Sequence, residues 1–444
     1  VSRARSGELA WQTRAGTPVL AEVSDALPLV DVSLVCRFGA LIDPPGKEGT
    51  ARLLVRLLRS GARGQSVRRF DEAIEALGGS LSAEVAHGGA RFSGAVLAKN
   101  LAPFLELVIG SIAQPAMRKA DLDEARRESE AELIARQDDD RWLAARSFRP
   151  HLFGAHPYGR SPFGTLRSLP RITLRHLEEA RQAHVHAQNL IVGLAGDIDE
   201  GSVGALLERL LAPLPRRGEA PRTAPPVVAQ KGRRVLFIDK PERTQVQLQI
   251  GTLATRLRDP RFHPLLVANT AFGGSMTSRL MRAVRVERGY SYSASARIGA
   301  DQQREAFSMY THPAPDEAAA CARLELELFE DWVTKGLTAA ELAQARSYLV
   351  KSHAFERDTP FKRLEPRLDA ALHGLPRSFW AGFVDRVRQT TVRVANDATR
   401  SVLSPSDVAI VALGTGDAIA TAMEKLPGVS TLSRVAYDAV ALGE

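Results

Sequence analysis

Between positions 29 and 38 the chain alternates. Val30, Val32, Leu34, Cys36 and Phe38 fall on one side and Asp31, Ser33 and Arg37 on the other, which predicts a half-buried strand. Asp43, Pro44, Pro45 and Gly46 break it, and Gly49 and Thr50 open a helix running to about position 60. Leu54, Leu57 and Leu58 make its core face, while Arg52, Arg56 and Arg59 line another face at helical spacing. A second helix over 67–77 stops at Gly78 and Gly79, and two runs at 81–86 and 90–96 form a hairpin across His87, Gly88 and Gly89. Helices follow over 103–113 and 119–145, the second rich in Glu124, Glu128, Glu130 and Glu132, which reads as a solvated charged face. An irregular segment over 151–159, a helix over 173–187 and a buried strand over 189–197 complete this half.

From position 213 to 234 the texture changes to prolines, arginines and glycine with few apolar residues, the composition of an extended linker. The second half then repeats the order of the first. Strands are predicted over 235–238 and 245–252, a helix from about 260, long helices over 317–336 and 338–357, a helix over 390–403 and a closing strand over 407–413. The ends of the halves also share residues: Thr173 and Leu174 lead to Asn189 and the run ending in Gly196 and Asp197. Thr391 and Val392 lead to Asp407 and the run ending in Gly416 and Asp417. This predicts an internal duplication of about 210 residues per half. Domains are therefore expected over 1–212 and 235–444, joined by a linker over 213–234. The fold class is α+β, each domain an antiparallel sheet packed with helices, the two facing each other as a clamshell half.

One stretch concentrates polar chemistry. Gly273, Gly274 and a Ser/Thr cluster lead into a helix with Met276, Leu280 and Val284 on one face and Arg282, Arg285 and Arg288 near its end, where cations suit the helix dipole. Gly289 stops it, and from Tyr290 to Arg297 apolar and polar residues alternate as in a strand. The short connection folds Tyr292 back toward Arg285. Two readings stand here: Arg285 solvates a helix end while Tyr292 packs in a sheet, or both serve one site.

The chain has 444 residues, 44% hydrophobic and 25% charged, the composition of an ordinary globular protein long enough for several cores. Its net charge of +8 comes mainly from arginine, without the basic blocks and interleaved aromatics that mark a nucleic-acid binder. An acidic partner, an acidic substrate or an anionic membrane face would answer such a surface equally well. Two distant cysteines, Cys36 and Cys321, supply neither a disulfide framework nor a thiolate metal site, and Cys36 reads as a buried small hydrophobe. No apolar run is long enough for a membrane span. The start at Val1, without Met, fits a mature product released from a signal peptide or a trimmed sequence. With the arginine-rich, lysine-poor composition, it leads us to expect a periplasmic bacterial chain, with a cytoplasmic location as the alternative.

Metal-ligand spacing fails among the ten histidines: neither H-E-x-x-H nor H-x-x-E-H occurs. His184 and His186 read as a surface pair, and His151 and His156 as hydrogen-bonded loop residues. Gly273 and Gly274 before a helix suggest a tight turn rather than an anion cradle.

Several strings carry a resemblance. Gly-Gly-x-x-x-Ser-Arg-Leu from Gly273, followed by Arg285, Gly289 and Tyr292-Ser293, is similar to the pitrilysin-type zinc peptidases, in the branch of the mitochondrial processing peptidase subunits. So are Leu152 to Thr165 (Leu-Phe-Gly-x-His-Pro-Tyr-Gly with a following Gly-Thr) and Leu77-Gly78-Gly79 before a strand. In active members a helix after the first strand bears inverted H-x-x-E-H, whose histidines bind zinc and whose Glu is the general base. The resemblance puts Arg52 and Arg56 at those histidines and Val55 at the base, with the distal zinc ligand on Glu132, or on Glu130 or Glu128. Guanidinium has no lone pair for a metal, and valine takes no proton.

The same resemblance implies that Arg285 and Tyr292, seven apart, match the pair that contacts the substrate backbone and steadies the oxyanion. It implies a non-catalytic subunit, inactive alone, with no cofactor of its own. The expected partner is a homologous H-x-x-E-H subunit holding zinc, in a heterodimer or larger assembly that cleaves extended peptides. The alternative it leaves open is an inert scaffold on the same fold, like core subunits of respiratory complexes.

Overall fold

The computed structural model describes residues 6–443; Val1 and the expectation attached to it lie outside the described residues. Two compact units form. The first comprises the chain up to Glu132 with Ser161–Thr223 and Phe355–Trp380; the second comprises Leu133–Arg160, Ala224–Ala354 and the chain from Ala381. The units thus exchange a segment each across the middle of the sequence, which a single cut over 213–234 does not convey. Residues 213–232 run without helix or strand, and the next strand starts at Arg233.

In the first unit β1 (Ser6–Gln12), β2 (Pro18–Ser24), β3 (Leu29–Cys36), β4 (Ser80–Val85), β5 (Ala90–Leu97) and β6 (Leu190–Gly196) form one sheet in the order β1-β2-β6-β3-β5-β4. In the second, β7 (Arg233–Asp239), β8 (Gln247–Leu253), β9 (Ala294–Ile298), β10 (Ala306–Thr311), β11 (Ala409–Gly414) and β12 (Val429–Ala436) take the order β12-β7-β11-β8-β10-β9. Five strands correspond in order and in direction: β2 pairs parallel with β6 as β7 does with β11, and the remaining pairs are antiparallel in both. The sixth differs. β1 is an antiparallel hairpin partner of β2, whereas β12 comes from the chain's end and runs parallel to β7. The duplication and the α+β class are therefore present, and the sheets are mixed rather than antiparallel. Antiparallel pairing alone was expected because hairpins announce themselves locally, whereas a parallel pair joins segments remote in sequence.

Each sheet is covered by a helix from the other half of the chain. On β2 and β6 lies Pro360–Leu372, whose Leu364 and Leu368 are fully buried with Leu20, Val35 and Ile191. Each such leucine contributes about 2 kcal/mol by burial. Arg363 Nε donates to Glu22 Oε1 at 2.6 Å and Arg91 Nη2 to Asp369 Oδ1 at 2.6 Å, setting its register. In the second unit Asp140–Phe153 packs on β8 and β11, and the buried Lys240 ammonium donates to Asp140 Oδ1 at 2.6 Å.

The single helix expected over 119–145 is two. Lys119–Ala135 ends in a tight turn, Arg136–Asp138, and Asp139 restarts the chain as an N-cap, its carboxylate accepting from Trp142 N–H at 2.9 Å. The second helix runs on to Phe153, through part of the segment expected to be irregular, and stops at Gly154. His184 and His186 are buried rather than exposed, at 3% each. The linker's first turn covers them: Ala187 N–H donates to Pro215 O, Glu219 N–H to Ala183 O, and His186 Nε2 contacts Glu219 O at 3.1 Å.

Candidate functional site

The helix Thr50–Leu58 sits where the resemblance puts a metal-binding helix. Asp43, buried, fixes its start: the carboxylate accepts Gly49 N–H and Ala51 N–H, each at 2.7 Å, satisfying two orphan donors of the first turn. Leu53, Leu54, Leu57 and Leu58 are buried against the unit, and so is Val55, at 2% exposure. That leaves Arg52 and Arg56, one turn apart, on the polar face. Glu132 lies between them. Its Oε2 accepts Arg52 Nη2 at 2.5 Å and Arg56 Nη2 at 3.0 Å, while Arg56 Nη1 reaches Glu128 at 2.8 Å. The Arg52 guanidinium also lies 4.6 Å from the centre of the Phe163 ring.

So the structure brings together Arg52, Arg56 and Glu132, three of the residues assigned to the zinc-motif positions, with Glu128 beside them. The carboxylates that reach these guanidiniums are those of Glu132 and Glu128, not Glu130. The group does not fit zinc. The two positions facing Glu132 carry permanent cations without lone pairs, and the base position is a buried hydrocarbon. Among the described residues no cluster of three or more His, Cys, Asp or Glu is placed to hold a metal ion. What the arrangement does is electrostatic: two carboxylates, Glu132 between the arginines and Glu128 on Arg56, balance and orient two guanidiniums.

The second candidate lies in the other unit. Gly273 and Gly274 direct their N–H groups to Asn269 O at 2.8 and 2.9 Å, closing the helix Phe262–Phe272 rather than cradling an anion. A Cβ on Gly273 would stand 2.4 Å from Ala296 Cβ of β9, so only glycine lets the turn pass the strand. The next helix starts later than predicted, at Arg279, with Ser278 as N-cap; Met276 is exposed, while Leu280 and Val284 are buried. It continues as a π-helical stretch, Arg282–Glu287, a wider turn that places Arg285 at the end of the helix.

Gly289, at φ +69°, reverses the chain, and Tyr290 N–H donates back to Val284 O at 3.0 Å. Four residues expected in the strand instead form a turn, and β9 begins only at Ala294. The reason is local hydrogen bonding. Ser291 Oγ donates to Ser293 O at 2.7 Å and accepts His312 N–H at 3.0 Å, while Ser293 Oγ lies 2.9 Å from His312 Nε2. These bonds pin the turn and throw Tyr292 outward, at 75% exposure. The Arg285 guanidinium carbon then lies 4.1 Å from the centre of the Tyr292 ring. Tyr292 does not pack in the sheet, so that half of the structural reading falls away.

Behind this turn the unit is closely packed. Next to His312, Thr311 Oγ1 donates to Glu325 Oε2 at 3.1 Å from within β10, and burial pushes the Glu325 carboxyl up to about 8. Phe272 stacks on Trp332 at 4.3 Å and Phe307 on Phe329 at 5.0 Å, an aromatic core under β9 and β10. Asp43, Ser291 and His312 were not singled out from sequence. For Asp43 the one signal was its place before the Pro44-Pro45-Gly46 break, and the serine pair was hidden inside an apparent alternation.

His151 and His156 are hydrogen-bonded loop and helix-end residues as expected: His151 Nε2 meets Arg234 O and His156 Nε2 meets Pro225 O, each at 2.9 Å. Cys36 is buried.

A duplicated α+β chain whose first unit carries a metal-type helix without metal ligands is a peptidase fold that has lost its metal chemistry. Comparison with known families agrees. Residues 19–165 match the family described as Insulinase (Peptidase family M16), and residues 171–349 match Peptidase M16 inactive domain. The chain belongs to peptidase family M16, of which it is a non-catalytic member. It is 27% identical over 393 residues to an uncharacterized zinc protease of Mycobacterium tuberculosis, covering 88% of this chain and 89% of that one. It is 21% identical over 397 residues to the non-peptidase homolog YmxG of Helicobacter pylori, covering 89% and 91%. Among solved structures, the crystal structure of a peptidase M16 inactive domain from Pseudomonas fluorescens superposes with a TM-score of 0.86 at 23% identity, over 93% of this chain and 98% of that one. Among the described residues no helix is long and apolar enough to cross a membrane.

Proposed function

We propose that this chain is the non-catalytic subunit of a hetero-oligomeric zinc endopeptidase. It supplies Arg285 and Tyr292 to a homologous partner that bears H-x-x-E-H and the zinc. The observation that carries this reading is the contact of half-buried Arg285 with exposed Tyr292, held by a pinned turn in a family member whose own metal helix is closed by salt bridges. A guanidinium and a phenol presented together offer two donors to a peptide carbonyl as it becomes an oxyanion. In this reading Arg285 binds and orients the extended substrate backbone and Tyr292 donates its O–H. Water activation belongs to the partner. The proposed location is the bacterial periplasm, on the strength of the arginine-rich composition.

A second reading, an inert scaffold, has one observation in its favour: the similarity to a relative named a non-peptidase homolog. Reconstitution separates the two. An extended fluorogenic peptide should be cleaved by the mixture of this chain with its H-x-x-E-H homologue and by neither chain alone; full activity of the homologue alone sinks the proposal.

A further inference from the structure

A second polar centre lies wholly within the second unit, at the start of the helix Phe262–Phe272, and the proposed peptidase role makes no use of it. A cavity of about 350 Å³ is lined there by Arg256, Arg261 and Arg304 together with Asp259, and its apolar wall includes Val227 and Val402. The charges do not balance. Asp259 is held chiefly by one arginine: its Oδ1 accepts Arg261 Nε at 2.8 Å and Arg261 N–H at 2.9 Å, and its Oδ2 accepts Arg261 Nη2 at 2.6 Å, with the Thr255 side chain as a further hydrogen-bond partner. The charge-assisted bonds from Arg261 hold that carboxyl down at about 2.

Arg304 is half-buried and fixed from behind, its Nε donating to Ala254 O at 2.8 Å and its Nη2 to Leu253 O at 3.3 Å. Neutral carbonyls orient it without cancelling its charge. Burial disfavours its cationic form, the Arg261 charge does so further, and the Asp259 charge offsets part of this. Arg256 is exposed at the rim. Three guanidiniums therefore share a partly enclosed space with one carboxylate, which leaves the cavity with an excess of positive charge. Water solvates Arg256, but the half-buried Arg304 carries a desolvation cost that a bound anion would offset.

We propose that this cavity binds a small oxyanion carrying at least two negative charges, a phosphate or a carboxylate compound. Planar guanidinium forks match the paired oxygens of either group, and the cavity is large enough for a diphosphate or a small tricarboxylate. Asp259 locks Arg261, Arg304 forms the floor, and Arg256 closes over the ligand from the rim.

Isothermal titration of the full chain in low-salt buffer, with inorganic pyrophosphate and with citrate as separate probes, tests this. The expected result is saturable one-to-one binding of at least one probe, weakening as salt rises. Arg256→Gln and Arg304→Gln should each weaken it about ten-fold or more, the loss of one charge-assisted contact. Arg68→Gln, on an exposed helix of the other unit, should leave it unchanged. Tighter binding of pyrophosphate would assign the site to phosphates, and of citrate to carboxylates. If Arg304→Gln fails to fold by its melting profile, the exposed Arg256→Gln carries the test. No saturable binding of either probe, binding unaltered in Arg256→Gln, or an equal loss in Arg68→Gln overturns the proposal.

Discussion

Arg285 rests its guanidinium 4.1 Å from the centre of the Tyr292 ring, joining the end of a π-helical stretch to the turn before β9. An exposed cation–π contact is worth about 0.5–1 kcal/mol. That is enough to hold both side chains in one place and little enough for a substrate carbonyl to compete for the guanidinium. The phenol end of Tyr292 stays in solvent. The pair is thus arranged before any substrate arrives, which lowers the ordering cost of binding.

The turn that presents the pair depends on a close approach elsewhere. Gly273→Ala places a methyl group 2.4 Å from Ala296 Cβ, well inside contact distance. We expect a loss of about 2 kcal/mol in urea unfolding, within the range for overpacking. The same variant should reduce activity of the proposed complex more than it reduces complex formation. Unchanged stability would show that β9 shifts to make room.

Glu132→Ala tests the salt-bridged helix. It leaves Arg52 without the carboxylate bonded to it here and Arg56 with Glu128 alone. Both guanidiniums are partly solvated, so the expected loss is about 1 kcal/mol rather than the several of a fully buried pair. Glu132→Gln should lose less. A measured loss near zero would mean that water replaces Glu132 completely.

Zinc content follows from the donor set. The isolated wild-type chain should carry no stoichiometric zinc by elemental analysis after dialysis. Changing Arg52 and Arg56 to His and Val55 to Glu, with Glu132 retained, should introduce a zinc site on the same helix face. Stoichiometric zinc in the wild type would contradict the assignment of these positions.

Glu325 gives a pH signature. Its folded carboxyl titrates at about 8 because of burial, above the ordinary value near 4.5, so the folded chain holds a proton that the unfolded chain has released between those values. Its contribution to stability is fully present below about pH 4.5 and is lost progressively as pH rises toward 8. Glu325→Gln, keeping the bond to Thr311, should flatten this part of the profile and be relatively more stable at pH 9. Urea unfolding at pH 5, 7 and 9 reads it directly, and parallel profiles for the two proteins would refute it.

Much of this was legible in the chain because the signals are local. The alternation through Val30, Val32 and Leu34, the leucines of Thr50–Leu58 and the repeat of element order in the two halves need only neighbouring residues. The resemblance then located Arg285 and Tyr292, and a helix followed by glycine brought them together. The remainder depends on contacts made in space. Nothing in the apolar face of Pro360–Leu372 says that Leu364 and Leu368 belong on β2 and β6, more than 160 residues earlier in the chain. Ser291 and Ser293 alternate with apolar residues as a strand would, yet their hydroxyls find His312 and the backbone first. His184 and His186 looked exposed because the segment that buries them is itself a linker without periodicity.

The most direct test is the peptidase activity of this chain in complex with an H-x-x-E-H homologue, comparing wild type with Tyr292→Phe and Arg285→Ala. Phenylalanine keeps the ring that Arg285 rests on and removes only the hydroxyl, so a change in rate is assignable to that donor. All three proteins should form the complex equally, with kcat lowered about 100-fold or more in each variant, the scale for removing one oxyanion donor. An intact complex whose activity is unchanged by either substitution would contradict the account and leave the chain a scaffold.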